Sequence, residues 1–477
     1  MIIRPQEDII KNMRRIKKPV FLLLIFLIIA SFINAQGAIL DEQYNNLPRR
    51  AVTALSYEGL PSSFSLKQYA PLPGDQGDFG TCVGWAAAYA AKTIAESIAL
   101  GRLNQTETTR NAFSVVHAYR NSTPDDPMGL YGTQIYSTLD FLRDSGAVRM
   151  LDIEREISFS QVDLASYSAS KLFPIGGYYT LFSRDESQKL PLISRIIKRS
   201  LTEGNPVIIA MNTPDSFLDT KDVWEPWENP DYFYYAHALC VVGYDDNMHG
   251  GSFEVLNSWG RKWGNGGYIW IPYQTFTDYV YEAYELIDNI ALYSEENKFD
   301  GFVQMEIIDS NSHVTETVSF NLTQNNYYKA SQIIASDTQI SFTVGSAESS
   351  YVYSFMVSQP QGYDNFYSPV LLFPQAGVSP LMNLNDKSVN LPGDEKTITL
   401  TSGTDYLITL YSKQALDIQN VMRVFASSQG TINKRLAASL GDGYTTALIY
   451  NENEAAFTIT PDNPRAVAAL IIAIESN

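Results

Sequence analysis

The sequence predicts an α+β unit of two lobes, helical first and β-rich second, followed by an all-β sandwich. Three observations carry that prediction. All six tryptophans and both cysteines lie between Cys82 and Trp270. Within that stretch helical spacing gives way to strands with short connections, the order of an α+β unit. From about Asn297 onward there is no Trp or Cys, and short alternating runs dominate. Those runs include Thr338–Val344, Ser350–Val357 and Lys396–Leu400, parted by turn signals such as Pro360-Gln361-Gly362, Pro392-Gly393-Asp394 and Gly441-Asp442-Gly443. Strands and turns so spaced are those of a sandwich.

A length of 477 residues suits two or three domains. With 45% hydrophobic and 18% charged residues the chain is not intrinsically disordered. Acidic residues outnumber basic ones, 52 to 34, a formal charge of −18 that argues against nucleic acid as a partner. Two cysteines exclude a disulfide-rich scaffold and a four-cysteine zinc site, and four histidines leave little for a multi-histidine metal centre.

The N-terminus is set aside before the fold is read. Lys11, Arg14, Arg15, Lys17 and Lys18 precede the apolar run Val20–Ala30, and Ala35 offers a small cleavage residue. Residues 1–35 therefore read as a signal peptide, and the protein is expected in the periplasm, at the cell surface or outside the cell. An uncleaved anchor is the alternative, but the run is shorter than the ~20 residues a span needs. Cleavage there leaves 28 basic against 50 acidic residues, a charge of −22 that is poorly suited to anionic lipid. Residues 36–60 are then a pro-segment or linker of 25 residues, too short to fold as an inhibitory domain.

In Cys82–Leu100, apolar residues recur at steps of three or four, which predicts a helix. Thr81 is its expected N-cap and Gly101 its stop. Ala112–Tyr119, Gly132–Asp144 and Pro191–Glu203 repeat helical spacing. Pro206–Met211, His237–Tyr244, Ser252–Leu256 and Gly267–Ile271 read as strands. Tyr279–Tyr293 is expected to pack back as the unit's last segment, with a boundary near 294–300.

The chemistry centres on Cys82. A thiol attacks acyl carbon as thiolate, and its pKa falls at a helix start beside an imidazolium. Cys82 takes such a position in Gln76-Gly77-Asp78-Phe79-Gly80-Thr81-Cys82-Val83-Gly84-Trp85. Gln76, six residues earlier, is the natural side-chain donor to an oxyanion, with the Cys82 N–H as the second. A base must come from elsewhere, and His237 opens an apolar strand where an aliphatic residue would be ordinary. Asn257, in Asn257-Ser258-Trp259-Gly260, ends the next strand, where it can hold the imidazole's other nitrogen while Trp259 keeps water off that bond.

The glutamine-to-cysteine segment, the His-Ala strand, and Asn-Ser-Trp-Gly followed by Trp263-Gly264-Asn265-Gly266-Gly267-Tyr268 resemble the papain-like cysteine peptidases, in the family's order. The export signal and sparse cysteine point to a bacterial type. The resemblance spans 61–294 and implies a helical lobe and a β-barrel-like lobe. It implies Cys82 as nucleophile, His237 as general base and acid, Asn257 as its orienter and Gln76 in the oxyanion hole. No cofactor or metal is implied, and the substrates implied are proteins or peptides. His237 and Asn257 lie 155 and 175 residues beyond Cys82, against about 130–150 in the family. The likeliest extra loop is Thr213–Tyr235, whose Trp224–Trp227 pair either lines the groove or packs as a surface loop.

Departures limit the carry-over. Phe79 stands where the family has a cysteine, and Val83 where it has a tryptophan. Its paired substrate-binding glycines are not evident around Tyr131-Gly132-Thr133. A thiol-dependent amidase or transpeptidase on the same fold, or an inactive binding protein, are therefore the rival readings. Cys240, three residues past His237, falls on the opposite strand face and reads as core. His117 reads as structural or solvated, and neither His249 nor His313 has a ligand cluster. The module at 300–477 resembles β-rich domains appended to bacterial enzymes, through Leu371-Leu372-Phe373-Pro374 and Gly403-Thr404-Asp405-Tyr406-Leu407. Contact with a surface or protein partner, or plain stabilisation, are the tasks open to it, and the chain is otherwise expected to be a monomer.

Overall fold

The computed structural model describes residues 37–50, 59–126, 128–152, 172–182, 190–289, 298–309, 313–363, 365–382, 388–393, 396–463 and 465–477. The signal peptide and most of the expected boundary fall outside the described residues. No helix among those described is long and apolar enough to cross a membrane.

Helix α1 begins at Cys82 and runs through Cys82–Gly84, a π-helical middle at Trp85–Lys92, and Thr93–Ala99. In the wide middle, Trp85 and Tyr89 pack edge to face with ring centres 4.7 Å apart. Gly101 ends the helix with φ +62°, as its sequence position predicts. Thr81 precedes the helix, but its side chain makes no capping bond. The alanines of α1 form its buried face and let the helix approach the sheet closely. Two polar residues on that face are paired: Lys92 Nζ meets Asp288 Oδ1 at 2.6 Å, and Glu96 is gripped by Arg149. Helices α2 (Gln105–Arg110), α3 (Val115–Ser122), α4 (Ile135–Asp144) and α5 (Leu190–Thr202) complete the helical side.

The sheet comprises β1 (Ser63–Ser65), β2 (Ile175–Thr180), β3 (Val207–Asn212), β4 (Ala236–Asp245), β5 (Ser252–Leu256), β6 (Tyr268–Pro272) and β7 (Val280–Asp288). Its order is β2-β7-β3-β4-β5-β6, with β1 on β4 and every pair antiparallel. The ladder is open from β2 to β6 among the described residues, which departs from the barrel-like lobe expected. Helix α6 (Tyr273–Tyr279) turns the chain after β6, and β7 returns between β2 and β3. The stretch expected to pack back thus becomes a central strand. One core joins α1 to β3, β4 and β7.

From Phe299 onward, two further sheets share a core drawn from both, including Met305, Phe342, Val352, Leu407, Tyr411 and Leu470. An all-β module needs correction here. Helices α7 (Ile418–Ser427) and α8 (Ile432–Leu440) cover the sheet built around Ser350–Pro360, Gly403–Ser412 and Val467–Ser476. They form because Asp417 and Thr431 cap them through their side chains, while Ile418, Val421, Phe425, Ile432 and Leu436 bury one stripe. The module seats on β2. Tyr179 and Ile287 share a core with Tyr351 and Leu381, the Tyr179 hydroxyl donates to Leu381 O, and the Tyr351 hydroxyl donates to Gly176 O at 2.5 Å.

Candidate active site

The start of α1 meets the start of β4. Cys82 and His237 are both fully buried, and the N–H of Ala238, next to His237, donates to Cys82 Sγ at 3.5 Å. Strand β5 then delivers Asn257 opposite the imidazole, with Asn257 Oδ1 2.7 Å from His237 Nε2. The same oxygen accepts the Ser258 N–H at 2.7 Å. A carbonyl oxygen that already takes a backbone donor takes a second donor from the ring, so the bond calls for a proton on Nε2. Nδ1 is then the lone-pair nitrogen, and it is buried with no hydrogen-bond partner among the described residues. A base with its free nitrogen in an enclosed site can take a proton from a neighbouring thiol.

Aromatic rings enclose the histidine. Trp259 stacks on it at 4.7 Å and 28°, Trp263 meets Trp259 edge on at 5.4 Å, and Phe217 packs on Trp259 at 5.5 Å, 6.5 Å from the imidazole. Phe217 escaped sequence reasoning because nothing in Thr213–Tyr235 distinguishes one aromatic from another. The loop itself divides: Trp224 is buried against Phe217 and Tyr279, while Trp227 is 80% exposed.

Gln76 is buried beside this group. Its N–H donates to Ser258 O at 2.8 Å, its Oε1 accepts the Ser258 hydroxyl, and its Nε2 donates to Phe79 O at 2.8 Å. The Phe79 carbonyl, which can only accept, therefore fixes which end of the amide is nitrogen. Sequence reasoning had weighed Asn257 and Trp259 without Ser258 between them.

The cleft is covered, which the sequence did not announce. Residues 37–50 form a strap whose first residue crosses Cys82. The Gly37 N–H donates to Cys82 Sγ at 3.3 Å, Gly37 O accepts from Thr133 N at 2.9 Å, the Ile39 N–H donates to Thr133 O at 2.9 Å, and the Ala38 N–H donates to Ala236 O at 3.3 Å. The fit at the crossing requires glycine. A Cβ on Gly37 would lie 2.0 Å from Gly80 O, and one on Gly132 2.1 Å from Gly37 O. The strap thus presents the sulfur with an N–H where attack would need a carbonyl carbon.

Burial also overturns the expected activated thiol. Loss of water pushes the Cys82 thiol up to about 11, against the opposing pull of the Ala238 and Gly37 N–H groups. The same burial pushes His237 down to about 4, only partly opposed by Asn257. Under the strap the pair is a neutral thiol and a neutral imidazole. Cys240 is core as expected: it lies mid-strand between Ile208 and Leu256, fully buried, its thiol raised further still. Among the described residues no group of three or more His, Cys, Asp or Glu could hold a metal ion.

Residues 178–286 match the sequence model of the papain family cysteine protease. That match runs from β2 to β7 and contains His237 and Asn257, while Cys82 and Gln76 lie before it. An uncharacterized peptidase C1-like protein L477 of Acanthamoeba polyphaga mimivirus is 35% identical over 86 residues, 17% of this chain and 27% of that protein. The P34 probable thiol protease of Glycine max is 29% identical over 101 residues, 21% of this chain and 26% of that protein. The chain spans about a quarter of the length of these curated relatives. Among solved structures, xylellain, a cysteine protease from Xylella fastidiosa, is 19% identical with a TM-score of 0.43, covering 53% of this chain and 96% of its own.

Proposed function

We propose that this chain is an exported cysteine peptidase whose nucleophile is Cys82. One observation carries the reading: the sulfur of a helix-start cysteine accepts the N–H of Ala238, and the strand-start histidine next to Ala238 is bound through one nitrogen to an asparagine from the next strand. The family match over 178–286 supports it. Once the cleft is open, His237 Nδ1 takes the Cys82 proton, and the thiolate attacks a peptide carbonyl. The Cys82 N–H and the Gln76 amide hold the developing oxyanion. His237 returns the proton to the leaving amine, and water resolves the thioester. Asn257 keeps Nε2 protonated throughout, so Nδ1 alone exchanges protons.

The test is turnover of a diverse peptide library under reducing conditions by protein freed of residues 36–50, beside its Cys82→Ala counterpart. Cleavage at internal peptide bonds by the first protein and not the second is expected. Transfer to an added amine without hydrolysis would favour the transpeptidase reading, and no thiol-dependent turnover would favour the binding protein.

A further inference from the structure

The strap does not end at the cleft. Past Ile39 the Asp41 N–H donates to Glu282 Oε1 at 2.6 Å. Tyr44 is buried against Tyr284 with ring centres 5.4 Å apart, its hydroxyl donating to Ala283 O and accepting the Ala283 N–H. At Pro48 and Arg49 the strap passes between the two parts of the molecule. Pro48 O accepts the Thr180 N–H of β2 at 3.1 Å. The Arg49 N–H donates to Gly377 O at 2.8 Å, and Arg49 O accepts the Ser379 N–H at 2.7 Å. Arg49 is thus bridged on one side to Thr180 and on the other to Val378 of the C-terminal module. The next residue, Arg50, is buried between Glu203 and Glu285.

We infer that the C-terminal module is a latch for the catalytic cleft, gripping the strap at Arg49 through its Gly377–Ser379 turn, an inference that rests on the peptidase reading of Cys82. Two features support a grip over passive contact. The bonds on Arg49 are backbone to backbone, so they hold the strap whatever its side chains. They also come in a pair from one turn, whose Gly377 has φ +78° and open space where a Cβ would be. The strap cannot lift at Arg49 without breaking that pair, and the same chain a dozen residues earlier covers Sγ. Bending the turn away removes one of the anchors that hold the strap over Sγ, and so raises the fraction of time the thiol is uncovered.

The test uses the full chain in a Cys240→Ala background, so that iodoacetamide reports Cys82 alone. Ser379→Pro deletes the turn's donor to Arg49 O, and Gly377→Val strains the turn without touching the peptidase side. Each is expected to speed alkylation of Cys82 by roughly threefold to thirtyfold. Gly37→Ala, which displaces the strap at the cleft itself, is the positive reference for an uncovered thiol. Gly441→Val, at φ +56° elsewhere in the module with open space for its Cβ, imposes the same strain away from the strap and should alkylate at the parent rate. Parent-like alkylation in both latch variants, with fast alkylation in Gly37→Ala, would overturn the latch. So would equal acceleration by Gly441→Val, since general loosening of the module would then suffice. The readout needs no turnover: fast alkylation without peptide cleavage would keep the latch and remove the peptidase reading.

Discussion

Cys82 and Cys240 are both fully buried, and burial raises both thiols. Their surroundings differ in kind. Cys240 is flanked by strand neighbours on both sides, and its sulfur makes only a 3.8 Å contact to Val241 O in its own strand. Cys82 sits where a helix begins, and its sulfur accepts N–H bonds from two separate segments, one of them the strap. Burial is therefore the wrong measure of a working thiol. The useful question is whether the covering atoms belong to the core or to a segment that can leave.

The largest effect that would break this contrast is on catalysis. Cys82→Ala should lower kcat/KM on a small peptide by at least ~10³-fold in strap-free protein, and His237→Ala by as much, since the pair acts as a unit. Cys240→Ala should leave turnover unchanged and lower the unfolding free energy in urea by about 1 kcal/mol. A turnover loss from Cys240→Ala comparable to that from Cys82→Ala would erase the distinction.

Smaller losses sharpen the roles around Cys82. Gln76→Ala should lower kcat by about 10²–10³-fold, the usual worth of one oxyanion donor. Asn257→Ala should cost less than His237→Ala in steady-state assays, because it orients the base without carrying the proton.

Thiol reactivity should separate the two cysteines by pH. In the full chain, alkylation of Cys82 should climb with pH toward about 11, and Cys240 should remain unreactive beyond that. Opening the strap should move the Cys82 profile, and no other, to lower pH. Coincident profiles by mass spectrometry before and after strap removal would deny the strap its covering role.

The smallest effect concerns stability. His237 and His117 are both depressed by burial from 6.5 to about 4. The unfolded chain binds protons first, so this stability is complete above about 6.5 and is lost as pH falls toward 4. The urea midpoint should fall over that window, and His117→Phe should flatten part of the slope. An unchanged slope would mean that His117 takes up protons in the folded state as freely as in the unfolded one.

Much of this was legible where local chemistry decides. Ser252–Leu256 was bounded correctly because glycines and an Asn-Ser-Trp-Gly turn flank its alternation, and α1 because Gly101 can only follow it. Cys240 was readable from strand parity alone. The strap was not, because Gly37–Arg50 holds its place through backbone bonds that leave no periodic pattern. The pKa expectation failed because loss of water raises the Cys82 thiol more than the surrounding backbone N–H groups lower it. Helices α7 and α8 do carry caps and an apolar stripe, but they lie among strands whose alternation dominates the reading of their neighbourhood.

The place of β7 has a consequence for how the chain is made. A strand that enters the middle of its sheet from the far end of the unit cannot be replaced by anything already synthesised. Until Val280–Asp288 is available, β2 and β3 have no common neighbour, and Lys92 on α1 has no Asp288. Tyr44 likewise lacks Ala283 and Tyr284, and Asp41 lacks Glu282. The helix that starts at Cys82 is thus produced some two hundred residues before the strand that completes the sheet behind it. Pairings so distant in sequence are slow to form. A protein built this way completes the sheet behind that helix only when the last strand of the unit has been made, and its timing is written into the strand order.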